Sequence, residues 1–322
     1  MPINDRCFVN RDSLFRQLSY IKKNFLAVHL SDAVDIITSK KRMKQPILSL
    51  TFDDGFQNNY DVVFPMLKEL RLPATIFPVT GFVDTDYTIW YCTLNKAFAE
   101  SKKKSIIWMH RKYDLRSMRE RTEACMNIKN LLKKMPHTVL VQEVDKITTL
   151  LGYRHSIKVS KKSPYRILNS RDMKTMQKSG LIEFGAHTHT HSILSLLKDR
   201  EKEFEIRTSI DHIKGITGRD CGVFSYPNGE QGDFEEQTQS ILAKNGIKRA
   251  FSMMRGPNYA DTSPLSFRRY GIEGNMNYYK FLANIHHMIW IKRTLSSFGE
   301  HLLGRKHSKR PDQPGEDKGP LS

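Results

Sequence analysis

The sequence predicts a parallel α/β fold, and two observations support that prediction. Apolar segments of strand length alternate with amphipathic segments of helix length along most of the 322 residues, a pattern typical of parallel strands joined through helices. Three of the predicted strands also end in residues of the kind that carry out chemistry. Because α/β barrels collect their catalytic groups at the C-terminal ends of their strands, we expect these residues to lie at one edge of the sheet.

Two helices are predicted before the first strand. Asn10 is a suitable N-cap for a helix whose apolar side chains, among them Leu14 and Leu18, recur at helical spacing. A second, shorter helix is predicted over residues 31–37. Neither segment contains a chemical motif, so both are expected to pack against the outside of the sheet.

The first strand begins at Ile47 and is predicted to be buried, and it runs into two acids and a glycine, Asp53-Asp54-Gly55. A buried carboxylate is costly unless it is paired, hydrogen-bonded or bound to a metal, and two neighbouring carboxylates repel each other. The alternative is a strand followed by an Asx-type turn, since Asp-Gly is a common turn signal. The acids alone do not distinguish these interpretations.

A helix (59–71) and a buried strand (74–79) continue the alternation, but residues 90–168 interrupt it with a basic segment. That segment has 18 Lys and Arg against 6 Asp and Glu, so it carries 12 of the 18 net positive charges of the chain. Apolar residues at helical spacing, such as Ile128 and Leu131, predict a helical insertion that shows a basic face to solvent. Such a face is either merely solvated or attracts an anionic polymer or a membrane surface.

The next predicted strand starts at Ile182 and ends in three alternating histidines, His187, His189 and His191. His187 and His191 share a face in either a strand or a helix, whereas His189 joins them only if the strand continues. Histidine is the commonest metal ligand, and two imidazoles with one carboxylate make a three-ligand zinc site that keeps a position open for water. A lone histidine would more often be a surface or core residue. Three in alternation predict a metal site.

The remaining elements continue the alternation of strands and helices. Helices are predicted from Ser170 to about Gly180 and over 201–216, and a strand over 221–227 ends in an Asn-Gly loop that lets the backbone approach a ligand closely. The elements predicted after that loop are a helix (234–245), two strands (247–253 and 265–272), a helical segment (286–291) and a disordered tail (304–322).

Three motifs together resemble, in order, the first three motifs of the polysaccharide deacetylases, the NodB-homology family or carbohydrate esterase family 4. These motifs are Thr51-Phe52-Asp53-Asp54-Gly55, His187-Thr188-His189-Thr190-His191 and Phe224-Ser225-Tyr226-Pro227-Asn228-Gly229. The resemblance implies a distorted, incomplete (β/α) barrel. We therefore expect one deacetylase domain over 1–303, a helical basic insertion over 88–168, and a disordered tail over 304–322.

The resemblance also implies a reaction, the metal-dependent removal of N-acetyl groups from the N-acetylhexosamine units of a polysaccharide or its lipid-linked precursor. It makes Asp54, His187 and His191 the ligands of a divalent metal, for which the ligand set favours Zn²⁺. It makes Asp53 the general base. The backbone N–H of Asn228, where the family usually has Tyr, becomes a donor to the oxyanion.

Three further residues are expected to contact the substrate, and they are Tyr226, Pro227 and His189. His189 lies beyond the ligands that the family requires, so we expect it to line the pocket or support the ligands from behind. The substrate is expected to be an N-acetylated glycan of the cell surface or an exopolysaccharide, and the basic insertion would suit an anionic one.

The sequence departs from the family pattern at two places. The third motif often carries an Arg that orients the base, where this chain has Ser225, and Arg268 or Arg269 are candidates to replace it. The C-terminal Leu-x-His motif that supplies the general acid has no clear match. His286 and His287 are nearby candidates, but their helical context favours a surface role.

Composition sets broader expectations. Four scattered cysteines show no metal-binding spacing and are expected to be free thiols in a reducing compartment. The start lacks a signal-peptide pattern and no apolar run reaches the ~18 residues of a membrane helix. These features predict a cytoplasmic protein, unless the true start lies upstream. The oligomeric state is not predicted.

Two other function classes stay open at this point. A catalytically weak relative could bind carbohydrate without hydrolysing it, because the third-motif Arg and the general acid are missing. A basic protein with an incidental metal site could associate with nucleic acid, although no helix-turn-helix, RNA-binding or zinc-finger pattern is present. Specific nucleic-acid binding is therefore not expected.

Overall fold

The computed structural model describes residues 8–39, 43–154 and 156–288, and its architecture is mixed α/β, as predicted. The strands are β1 (Leu26–Ala27), β2 (Ile47–Leu48), β3 (Leu50–Asp54), β4 (Ala74–Pro78), β5 (Ser105–Trp108), β6 (Arg111–Asp114), β7 (Ile182–Phe184), β8 (Val223–Ser225) and β9 (Arg249–Phe251). The α-helices are α1 (Arg11–Asn24), α2 (Leu30–Thr38), α3 (Phe64–Leu70), α4 (Trp90–Glu100), α5 (Met118–Leu132), α6 (His137–Leu150), α7 (Ser170–Lys178), α8 (Asp199–Thr217), α9 (Glu236–Lys244) and α10 (Tyr278–Ile285).

Parallel pairing connects the strands that carry the three motifs. β4 lies between β3 and β7, with Asp54 opposite Pro78 in one register and Ile76 opposite Phe184 in the other. β8 pairs with β9, and a parallel bridge between Ala186 and Phe224 joins this pair to the segment that follows β7. The C-terminal ends of β3, β7 and β8 therefore point to the same edge.

The core of this sheet is centred on β4, every residue of which is buried. β3 is only partly buried, so the prediction of a fully buried first strand was wrong. The reason is topological, because β3 lies at the edge of the three-stranded sheet while β4 has a strand on each side. The partial exposure of β3 lets its two carboxylates reach the surface edge.

Most predicted helices and strands are present near their expected bounds, but several elements differ. The helix predicted over 59–71 begins with a π-helical turn, Asn59–Val63. The segment 265–272 is extended but forms only one bridge in the sheet, between Phe267 and Phe251. The helical segment predicted over 286–291 is preceded by α10, which ends at Ile285, and residues 289–291 and the predicted tail lie outside the described residues.

The strand predicted to carry the histidines is shorter than expected. β7 ends at Phe184, so the three histidines lie on the loop that follows it. Thr188 and His191 have left-handed φ angles of 61° and 63°, which a strand does not contain. The prediction that strand or helix periodicity aligns the histidines was therefore wrong, and the loop conformation aligns them instead.

Residues 90–151 contain α4, α5 and α6, as predicted, together with an antiparallel hairpin of β5 and β6 that the sequence reasoning missed. One face of the hairpin is buried through Ile106, Trp108 and Tyr113. These side chains belong to the same apolar cluster as Ile128 and other residues of the three helices. Leu131, which was predicted to face the apolar seam, is 39% exposed.

Two further properties follow from the described part of the chain. The cysteines that it contains, Cys92, Cys125 and Cys221, are buried. Among the described residues, no helix combines the length and the apolar character that crossing a membrane requires.

Candidate active site

Three side chains from two motifs converge beyond the C-terminal ends of β3 and β7. Asp54, His187 and His191 each offer a ligand atom, and these atoms lie within 4.8 Å of one another. The Nε2 atoms of His191 and His187 are 3.3 Å and 3.7 Å from the same Asp54 oxygen, Oδ1. The structure thus brings together the three residues that were predicted as metal ligands.

The protonation of the two imidazoles shows that this cluster fits a cation. Nδ1 of His187 lies 2.7 Å from the Ser225 carbonyl oxygen, which only accepts, so Nδ1 carries the proton and Nε2 presents a lone pair to Asp54. Burial lowers the pKa of both imidazoles, that of His191 to about 4, so both are neutral at neutral pH. Two neutral imidazoles and a carboxylate oxygen that converge in this way form the donor set of a divalent metal.

A buried glutamate holds the loop that presents these histidines. Glu205, on α8, is 6% exposed, and its Oε2 accepts the backbone N–H groups of His189 and Thr190 at 2.8 Å each. Its Oε1 accepts the Thr190 hydroxyl at 2.6 Å. Because a charged acceptor strengthens each of these bonds, Glu205 fixes the backbone between the two histidines. The sequence reasoning did not identify this residue.

The second carboxylate, Asp53, is held by Arg269. The two guanidinium Nη atoms donate to the two oxygens of Asp53, at 2.8 Å each, and Ser225 Oγ donates to Oδ2 at 3.2 Å. Burial by itself would raise the pKa of Asp53, but the charge and hydrogen bonds of Arg269 outweigh burial and lower the pKa to about 2. Asp53 is therefore an oriented, ionised carboxylate beside the cluster of Asp54, His187 and His191.

Arg269 also contacts Ser225, the position at which the third motif often carries an arginine. Its Nη2 also donates to Ser225 Oγ at 2.8 Å, and its Nε donates to the Ser252 carbonyl at 3.0 Å. Arg268 instead points away, and its guanidinium donates to the Arg255 carbonyl. The small Ser225 side chain thus leaves room for an arginine from a later segment to bind Asp53.

Two of the residues predicted to contact substrate are buried. Tyr226 is 1% exposed; its ring stacks on Phe234 and its hydroxyl donates to the Leu265 carbonyl. Pro227 is buried as well. Contact of the Tyr226 and Pro227 side chains with substrate stays a prediction, and the burial of both residues does not favour it.

The remaining histidine candidates also lie apart from the triad. His189 stacks on His212, and its Nδ1 lies 3.2 Å from the Thr80 hydroxyl, so it is not one of the three converging ligands. His286 contacts the Tyr20 hydroxyl, and His287 contacts that of Tyr270. Both are exposed, in agreement with the surface role favoured for them.

The family model described as polysaccharide deacetylase matches residues 40–250, which is more than half of the chain and includes all three motifs. The chain belongs to the polysaccharide deacetylase family. Within this family it is similar to the poly-beta-1,6-N-acetyl-D-glucosamine N-deacetylases of Escherichia coli K12, with 32% identity over 78 residues, and of Staphylococcus aureus N315, with 26% identity over 149 residues.

These matches are partial. The first covers 24% of this chain and 12% of the E. coli protein, and the second covers 44% of this chain and 49% of the S. aureus protein. The chain therefore matches at most about half the length of these curated relatives.

Solved structures show the same deacetylase fold. The Streptococcus pyogenes deacetylase PplD, in complex with acetate, superposes with a TM-score of 0.55 at 18% identity, covering 86% of this chain and 87% of that one. The deacetylase domain of BpsB from Bordetella bronchiseptica gives a TM-score of 0.52 at 18% identity, with 80% and 83% coverage. IcaB from Ammonifex degensii gives a TM-score of 0.51 at 17% identity, covering 80% of this chain and 82% of that one. At such identities the likeness concerns the fold alone.

Two residues of the segment between β4 and β7 also reach this cluster, and sequence reasoning missed both. The Tyr91 hydroxyl donates to Asp54 Oδ2 at 2.6 Å, and its ring lies 5.4 Å from that of His191. Lys133 Nζ donates to Asn228 Oδ1 at 2.7 Å. No local pattern marks either residue, because each meets its partner only through the tertiary structure.

Proposed function

We propose that this protein is a metal-dependent hydrolase that removes N-acetyl groups from the N-acetylhexosamine units of a polysaccharide or its lipid-linked precursor. The observation that carries the proposal is an ionised carboxylate, Asp53, held beside the cluster of Asp54, His187 and His191. Family membership supports the reaction class, and the names of the matched relatives support an N-acetylglucosamine polymer as substrate.

Asp54, His187 and His191 would hold the metal, and Zn²⁺ is the ion we propose from the donor set. When bound there, a divalent ion polarises an acyl carbonyl and lowers the pKa of water towards about 7. The hydrogen bond from His187 Nδ1 to the Ser225 carbonyl fixes the tautomer that leaves Nε2 available as a ligand.

Asp53 is the proposed general base that takes the proton of the attacking water. Its low pKa keeps the carboxylate ionised over the whole neutral range, so the base is always in the state that accepts a proton. Arg269 holds both carboxylate oxygens, and an oxygen with two lone pairs can accept a water proton while it keeps that contact.

Asn228 is the proposed source of the backbone donor for the oxyanion. It lies on the loop after β8, and its φ angle is 62°. A preorganised N–H aimed at developing negative charge is worth about 3 kcal/mol in comparable hydrolases. Formation of the tetrahedral species would therefore depend on the conformation of this loop.

The finer architecture and the partners are part of the same proposal. The parallel order of the strands supports an incomplete barrel within a single domain over 1–303, with 88–168 as its basic insertion. Exposed Lys103, Arg111 and Lys112 in that segment support attraction to an anionic glycan or a membrane surface. The cytoplasmic location and the absence of specific nucleic-acid binding stay predictions.

The decisive experiment measures metal content and acetate release from β-1,6-linked N-acetylglucosamine oligomers. We expect about one metal per chain in the wild type, loss of metal and activity in His187→Ala, and loss of activity alone in Asp53→Asn. His189→Ala serves as the matched control and should keep its metal. Metal binding without acetate release in the wild type would instead favour a carbohydrate-binding relative.

A further inference from the structure

Lys133 links the basic insertion to the third motif across the mouth of the site. It is the C-cap residue of α5 and is exposed, yet its Nζ lies 2.7 Å from Oδ1 of Asn228, 95 positions further along the chain. Lys133 also lines the same small cavity as His191. Its contact with Asn228 therefore lies next to the metal cluster rather than on a remote surface.

The groups on the two sides of Asn228 dictate how its amide is oriented. The Lys133 ammonium has only donors, so it must face Oδ1. The Asp233 carboxylate has only acceptors, and its Oδ2 accepts a hydrogen bond from Asn228 Nδ2 at 2.6 Å. The same Oδ2 accepts the backbone N–H of Glu230 at 2.7 Å. A continuous chain of hydrogen bonds thus runs from Lys133 to the backbone of the loop.

This chain of hydrogen bonds holds a backbone that needs support. Asn228 and Gly229 are consecutive left-handed residues, with φ angles of 62° and 66°. Asparagine tolerates this conformation better than most residues do, but it still costs free energy that the surroundings must offset. Asn228 thus tolerates the left-handed backbone conformation, and both the oxygen and the nitrogen of its side-chain amide form hydrogen bonds.

We propose that Lys133 is a positioning residue, which acts through the Asn228 side chain to fix the left-handed loop and aim the Asn228 backbone N–H at the developing oxyanion. This inference rests on the proposed hydrolase function and deepens it, because it gives a residue of the proposed insertion a positioning role in the active site. A residue of this kind affects kcat more than KM, since the donor it aims is used in the transition state.

The test compares Lys133→Met with Lys134→Met, which removes the same charge from the adjacent exposed position. Hydrogen exchange of the peptide covering 226–234 reports on the loop, and acetate release reports on kcat and KM. We expect Lys133→Met to speed exchange at Glu230 and to lower kcat by about 10- to 100-fold, below the loss for deleting an oxyanion donor. Lys134→Met should change neither the exchange at Glu230 nor kcat, and Lys133→Arg should keep most of the wild-type kcat.

A double-mutant cycle shows whether the effect passes through Asn228. In an Asn228→Ala background, Lys133→Met should lower kcat by less than about twofold, because coupled residues are not additive. Equal loop exchange in Lys133→Met and Lys134→Met would overturn the proposal. A wild type that releases no acetate would refute the hydrolase function, whereas the loop exchange would still decide whether Lys133 holds Asn228.

Discussion

Two adjacent carboxylates of β3 have different surroundings, and the difference supports the different roles proposed for them. Asp54 has a left-handed φ of 68° and turns its Oδ1 towards two imidazoles. Asp53 instead binds a guanidinium through both oxygens. A strand places neighbouring side chains on opposite faces, so the turn at Asp54 is what allows both groups to serve one site.

Replacing Arg269 by Met should destabilise the metal-free protein in a pH-dependent way. The pKa of Asp53 is lowered in the fold, so its ionisation stabilises the native state fully above its ordinary value of 3.8 and progressively less as the pH falls towards 2. We expect a loss of about 2 kcal/mol at pH 7, which shrinks below pH 4. Urea unfolding at pH 7 and at a pH below 4 measures this loss of unfolding free energy.

Arg268→Met is the matched control for that experiment, because Arg268 makes no contact with Asp53 and its guanidinium donates to the Arg255 carbonyl. Its unfolding free energy should change by less than about 0.5 kcal/mol at either pH. An Arg269→Met loss that does not depend on pH would contradict the assigned ion pair.

At the scale of elements, the segment after β7 depends on close packing at Gly185. A Cβ atom there would lie 2.4 Å from the Phe77 ring and 2.7 Å from Val223 Cγ2. The segment therefore passes close between β4 and β8 before it reaches the histidines. Sequence periodicity could not show this, because the histidine spacing fits strand, helix and loop alike.

Gly185→Ala should destabilise the protein by about 3 kcal/mol, since overpacking a rigid core displaces neighbouring side chains. Gly215→Ala is the matched control, because Gly215 lies within α8 and an added Cβ meets nothing within 4 Å. This control should stabilise the protein by about 0.5–1 kcal/mol through helix propensity. Thermal unfolding monitored by circular dichroism distinguishes the two, and equal effects would contradict the packing described.

At the scale of the whole molecule, the parallel sheet gathers motifs that are far apart in the chain. Asp54 and His187 are separated by more than a hundred residues, yet they meet because β3 and β7 both pair in parallel with β4. The apolar cluster formed around α4, α5 and α6 places Tyr91 at the same edge. A ligand bound there would tie several elements to one another.

Metal binding should therefore raise the thermal stability of the whole chain. At about 100 times the dissociation constant, a ligand specific for the native state stabilises it by ~2.7 kcal/mol, or about 5 °C for a domain of this size. Adding Zn²⁺ to EDTA-treated protein should give this shift in the wild type and in Asp53→Asn. His187→Ala should lose the shift, and an equal shift in that variant would contradict the ligand set.

The sequence by itself determined the family, the mixed α/β class and the three residues that converge as a ligand set, because these depend on local patterns and short motifs. Only the tertiary structure decided that Arg269 binds Asp53, that Tyr226 is buried, and that Tyr91 and Lys133 contact Asp54 and Asn228. Such contacts join residues far apart in the chain, and their partners are selected by the packing of the whole fold. The spacing of residues along the sequence does not reveal that packing.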